Sequence, residues 1–150
     1  MDFAYNDEQK EIIKVVRDLV EKEIVPYAAE MDETGKLHEG LLEKLAAQGL
    51  LGVAIPEEFG GAGLDAITIA AIYEELGKGC AGVATTVAAN ALASYPVIIA
   101  GNDDQKKRYF DIINDDNLAA FALTEPGTGS DAGSDSTRAM KTGDGKGYIS

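Results

Sequence analysis

Residues 81–100 run for twenty positions without a charged side chain, and no other stretch limits the possible folds as strongly. A helix of that length reaches about 30 Å, the thickness of a bilayer's hydrocarbon core, so a membrane span has to be weighed. Thr85, Thr86, Asn90, Ser94, Tyr95 and Pro96 interrupt the run, and Ala and Gly stand where Leu and Phe would be usual. No basic cluster flanks it to mark a cytoplasmic side. The expected element is a buried central helix, apolar all round because other helices surround it. Its small side chains would let a neighbour, or a ligand, approach the backbone closely.

The composition agrees with a packed protein. A chain of 150 residues with 45% hydrophobic side chains can bury a core and is not a charge-dominated disordered chain. Twenty-six acidic against 13 basic residues, a net charge of −13, argue against nucleic acid as a partner, because a phosphate-binding face needs clustered Lys and Arg. One Cys excludes a disulfide scaffold, and there is no Cys/His cluster with zinc-ligand spacing. Cys80 is expected to be buried and inert, and His38, in a charged stretch, to lie on the surface. No charged segment followed by an apolar one opens the chain, so a cytoplasmic location is expected.

Before residue 114 the pattern reads as helices. Asn6 is placed to cap the first, with Gln9 at the capping-box position. Ile12, Val15, Val16, Leu19, Val20 and Ile24 form its stripe, and Pro26 should kink or end it. Glu30 to Gly35 reads as a charged connection. Leu41, Leu42, Leu45 and Ala46 make a second, shorter helix that Gly49 can end. Pro56 to Gly63 is loop by composition. Asp65 can cap a third helix with the stripe Ile69, Ile72, Tyr73 and Leu76, ended by Gly77. Residues 102–114 form another, with Tyr109, Phe110 and Ile113 apolar. After residue 117 the text changes to short strands and Gly-rich turns: strand candidates at 118–124 and 136–142, a turn at 143–147, and the start of a strand at 148–150.

The best candidate for chemistry is the segment from Leu123 to Asp131. A strand would deliver Thr124 to a loop in which Gly127 and Gly129 allow close backbone approach. Backbone N–H groups and the hydroxyls of Thr128 and Ser130 could hold phosphate oxygens without a basic residue. The loop is neither a P-loop, since no GK[ST] follows, nor a dinucleotide fingerprint, since GxGxxG is missing. Composition alone leaves an ordinary turn as the alternative.

Residues 121–134, FALTEPGTGSDAGS, closely resemble the first signature of the acyl-CoA dehydrogenases. Three other blocks match in the same order: PEEFGGAG at 56–63, YEELG at 73–77 and PVIIAGNDDQKK at 96–107. The resemblance implies a mainly α chain: an N-terminal helical domain over 1–117, then the first strands of a β-barrel domain over 118–150, incomplete. It implies FAD as cofactor and an acyl-CoA thioester as substrate, oxidised to the trans-2-enoyl-CoA. A Glu takes the α-proton and the β-hydride passes to flavin N5. Electron-transfer flavoprotein would be the partner, and a homotetramer the assembly of the full-length enzyme.

The same resemblance assigns residues. Phe121, Leu123 and Thr124 fall where the family packs against the flavin ring, and Gly129 and Ser130 where it meets the pyrophosphate region, Ser130 also meeting the acyl-CoA. Ala84, Thr85, Ala88 and Leu92 match positions that line the acyl chain in medium-chain relatives. The two alanines would leave room for the acyl tail; tight helix packing is the other reading. Glu125 is expected to brace its loop rather than act as base, and Asp131 to make a bracing hydrogen bond, since it would repel a phosphate. No residue here matches the family's catalytic base, and the aromatic-Ile-Thr strand that follows in the family is absent. The chain alone is therefore expected to be inactive and to bind FAD weakly or not at all. An enoyl-CoA reductase of the same family and a non-catalytic helical module, or half of a split enzyme, stay open as alternatives.

Overall fold

A computed structural model describes residues 4–114 and 117–149. Helix α1 spans Asp7–Leu19. Asn6 caps it through a reciprocal pair: Gln9 N donates to Asn6 Oδ1 at 2.8 Å, and Asn6 N to Gln9 Oε1 at 3.1 Å. The chain then loosens into one π turn, Val20–Ile24, and one 3₁₀ turn, Val25–Tyr27, before α2, Ala28–Thr34. Pro26 is the cause expected, having no N–H to continue the ladder. The inward face of α1 runs through Gln9, Ile13, Val16 and Val20, so the expected stripe is rotated: Val15 is exposed and Ile13 buried. The expected charged connection at 30–35 is instead mostly helix. Met31 is buried and anchors α2, whose acids stay outside, and Gly35 (φ 65°) ends it.

Helix α3, Leu41–Ala47, turns Leu41 and Leu45 into the core. Gly49 then adopts a left-handed φ of 70° and leads into a turn at Leu50–Gly52. The path through Leu50, Leu51, Val53 and Ile55 is irregular yet fully buried. Its polar backbone groups are met by the returning loop: Ala62 N donates to Gly52 O at 3.1 Å, Gly63 N to Ile55 O at 2.9 Å, and Leu64 N to Val53 O at 3.1 Å. Gly61 is required here, because a Cβ would lie 2.2 Å from Ile55 O.

Asp65 caps α4, Ala66–Gly79, by accepting from Ile67 N and Thr68 N. The helix runs two residues past Gly77. It ends at Gly79, where a Cβ would stand 2.6 Å from Val20 Cγ1, so close contact with the π turn demands Gly there. Half-buried Cys80 breaks the chain in an extended conformation before α5, Ala81–Ala100. Asn102 and Gln105 form a second capping box on α6, Asp103–Ile113. The main core joins α1, α3, α4, α5 and the 50–53 turn; Ile55, Phe110 and Ile113 make a smaller one beneath Phe59 and Tyr109. Arg17 on α1 binds buried Glu75 on α4 through two bonds, at 2.9 and 3.0 Å, and Lys78 reaches the same carboxylate at 2.7 Å.

Two short strands close the described chain. β1, Met140–Lys141, pairs antiparallel with β2, Tyr148–Ile149, around the expected turn at 143–147. The strand expected at 118–124 is not formed, and that at 136–142 shrinks to two residues. A strand exists only with a ladder partner, and none lies beside 118–124 among the described residues. His38 is not a plain surface residue: its ring stacks on Tyr27 with centroids 3.5 Å apart.

Candidate functional site

Helix α5 has two faces of different fate. Val83, Val87, Asn90, Ala91 and Ser94 are buried. On the opposite side Thr85, Ala88, Leu92, Tyr95 and Ile99 follow one another at helical spacing. Ala88 is half-buried, Leu92 is 49% exposed and Ile99 80%. The helix is thus not enclosed all round, as its sequence suggests, because both faces are apolar and only one is covered. Of the expected acyl-lining residues, Thr85, Ala88 and Leu92 share the open face, and half-buried Ala84 sits at its edge against the core. The Thr85 hydroxyl donates to Ala81 O at 2.8 Å, so its polar atom is satisfied within the helix. Tyr95 and Ile99 extend the stripe; their spacing from Leu92 was the available signal.

The second group lies after α6. Phe121 is 40% exposed and Leu123 43%, and Thr124, Gly129 and Ser130 are exposed as well. The loop beyond them is tied to itself. Glu125 and Thr128 exchange backbone hydrogen bonds, and Thr128 Oγ1 donates to Asp135 Oδ1 at 2.6 Å. The Glu125 carboxylate accepts from Thr137 N at 2.8 Å, Ser136 Oγ at 2.8 Å and Ser136 N at 3.0 Å. Hydrogen bonds from Thr137 and Ser136 hold its pKa down to about 2, so it is a brace and a poor base. Asp131 likewise accepts from Ser134 Oγ at 2.5 Å. Both carboxylates therefore do what their sequence context suggests.

Asn90, which the sequence did not single out, joins the two groups. It is fully buried on α5, and its Oδ1 accepts from Ala119 N at 2.7 Å. Its only sequence signal is an amide among apolar neighbours. A separate cavity of about 350 Å³ between α1 and the 48–64 region holds none of these residues; it is apolar apart from Glu11 and Gln48 and offers no set of polar groups for a thioester or a flavin.

Comparison with known proteins defines the class. Residues 6–114 match the family model for the acyl-CoA dehydrogenase N-terminal domain. The chain belongs to the acyl-CoA dehydrogenase family. It is 41% identical over 141 residues to the 3-(aryl)acrylate reductase of Clostridium sporogenes, covering 91% of this chain and 37% of that protein. Its fold is similar to butyryl-CoA dehydrogenase of Megasphaera elsdenii, with a TM-score of 0.82 and 35% identity over 97% of this chain and 39% of that one. An acyl-CoA dehydrogenase of Bacillus anthracis complexed with FAD gives a TM-score of 0.83 at 36% identity, over 97% of this chain and 25% of that one. The chain thus spans less than two fifths of the length of these relatives.

The residue types of the second group suit FAD. Phe121 and Leu123 expose apolar surface and Thr124, in the same short segment, is exposed too, residue types that suit a flat, hydrogen-bonding ring. Around Gly127 and Gly129 a Cβ would meet nothing within 4 Å, so the loop backbone is open to a ligand.

Proposed function

We propose that this chain supplies the acyl wall and part of the flavin wall of an FAD-dependent acyl-CoA dehydrogenase acting on short- or medium-chain thioesters. The supporting observation is the Asn90–Ala119 hydrogen bond, which ties α5, from its buried side, to the segment bearing Phe121 and Leu123. In this reading Thr85, Ala88 and Leu92 pack along the acyl chain and exclude water from it. Phe121, Leu123 and Thr124 hold the flavin ring, and Gly129 and Ser130 sit at its pyrophosphate, with Ser130 also facing the thioester. FAD held there would supply the hydride acceptor. In this reading the base that removes the α-proton is not among these residues: none matches the family's base, and the loop carboxylate Glu125 is already engaged. The domain boundary belongs near 117–118, electron-transfer flavoprotein is the electron acceptor, and the working assembly is a cytoplasmic homotetramer.

The 41% identity to an acrylate reductase supports a second reading, an enoyl reductase that runs the same chemistry backwards. The test is to express the complete open reading frame that contains these residues. A yellow flavoprotein that reduces a dye with butyryl- or octanoyl-CoA supports the dehydrogenase. Oxidation of a reduced dye by the enoyl thioester alone supports the reductase. A product without flavin overturns both. The 150 residues alone should give no turnover with either.

A further inference from the structure

We propose that Asn90 is the positioning residue of this site, setting the separation between the acyl wall on α5 and the flavin-facing segment 118–124; the inference rests on the function proposed above. Asn90 points away from the open stripe and is fully buried on a mostly apolar helix. A buried amide is costly unless both its ends are satisfied. Here Nδ2 donates to Leu51 O at 2.7 Å and Oδ1 accepts from Ala119 N at 2.7 Å. One side chain therefore holds three parts of the protein together: the wall helix, the buried 50–53 turn and the start of the flavin-facing segment.

The segment depends on that point. Ala119 is half-buried against Ile55, Phe110 and Ile113, whereas Leu118 and residues 120–124 are exposed. Phe121 and Leu123 follow two and four residues later, so their placement is inherited from the Ala119 anchor. Leu92, a member of the wall, is two residues from Asn90 on the same helix, which puts wall and anchor on one rigid element. Ser94 continues the polar line, donating to Asn90 O at 2.9 Å and lying 3.4 Å from Tyr109 OH on α6. Leu at position 90 would fill similar space and hold neither Leu51 nor Ala119.

Amide hydrogen exchange on the 150-residue chain tests the anchor without any flavin. In Asn90→Leu, exchange at Ala119 N–H should speed roughly tenfold, the value of one lost hydrogen bond, while Val16 and Leu76 keep their protection. Asn90→Asp gives a signature that packing alone does not. Protonated, the acid donates to Leu51 O and accepts from Ala119 N; ionised, it has no proton for the Leu51 carbonyl, which repels it, and the buried charge is drawn toward water and away from Ala119. Protection at Ala119 should therefore return as the pH is lowered from about 8 to about 5, burial having raised the carboxyl's pKa. Unchanged Ala119 exchange in Asn90→Leu overturns the proposal. So does a pH-independent Asn90→Asp, which also decides the matter should Asn90→Leu not fold.

In the complete gene product, the flavin absorption band of Asn90→Asp should differ from wild type at high pH and match it at low pH. A band identical at every pH overturns the positioning role and leaves Asn90 a packing residue. A wild-type product without flavin overturns the function itself, and this inference with it.

Discussion

The Glu75 carboxylate is buried on α4 and held by Arg17 and Lys78. Hydrogen bonding by Arg17 lowers its pKa from 4.5 to about 2, against the opposing effect of burial. A depressed carboxylate stabilises the fold fully above its unfolded pKa, and that contribution is lost as the pH falls from about 4.5 to about 2. Glu75→Gln should lower stability near neutral pH by about 1–3 kcal/mol, discounted for the half-exposed Arg17 and Lys78 partners, and flatten the acid limb of a plot of Tm against pH. An acid limb as steep as wild type would refute this. Gly61 acts through sterics instead. Any side chain there meets the Ile55 carbonyl, so Gly61→Ala should cost about 2 kcal/mol or more, read as a lower urea midpoint.

Among the elements, α5 makes the most specific claims. Val87 is on its buried face and Leu92 on its open one. Val87→Ala should destabilise by about 2 kcal/mol, whereas Leu92→Ser should stay within about 0.5 kcal/mol; thermal melts of the two variants separate them. Ala88→Leu should fold normally and, in the complete gene product, shift preference toward shorter acyl chains by narrowing the wall. An unchanged chain-length profile would remove Ala88 from the acyl site. Two helix starts were readable because capping is local: Asn6 and Asp65 each bind N–H groups within three residues, as does Asn102, which the sequence showed only as the first residue of a helix. The ends were less so. Gly77 and Gly79 look alike in sequence, and only the approach of Val20 from another element makes Gly79 the stop. Likewise Met31, once buried, extends helix through acids that read as a connection.

For the whole molecule, the order of the blocks and the helical content were legible, and so were the brace roles of Asp131, whose partner is three residues away, and of Glu125, whose partners follow eleven and twelve residues later. The site was legible only as two separate lists of residues. What joins them, Asn90 to Ala119, spans 29 positions, and no local pattern announces so distant a pair. The strand at 118–124 failed for the same reason, since a strand is a property of two segments and alternation in one is not enough.

By itself the sequence determined the caps, the apolar runs, the glycine-rich loop and, through the ordered blocks, the family. These depend on neighbours within a few residues or on composition. Tertiary structure alone decided which face of α5 is open, why Gly61 and Gly79 must be glycine, and that one buried amide holds α5 to the segment that follows α6. An all-apolar helix gives no clue to which side its neighbours occupy, and a buried amide shows its purpose only when its two partners, far apart in the chain, are brought within 2.7 Å of it.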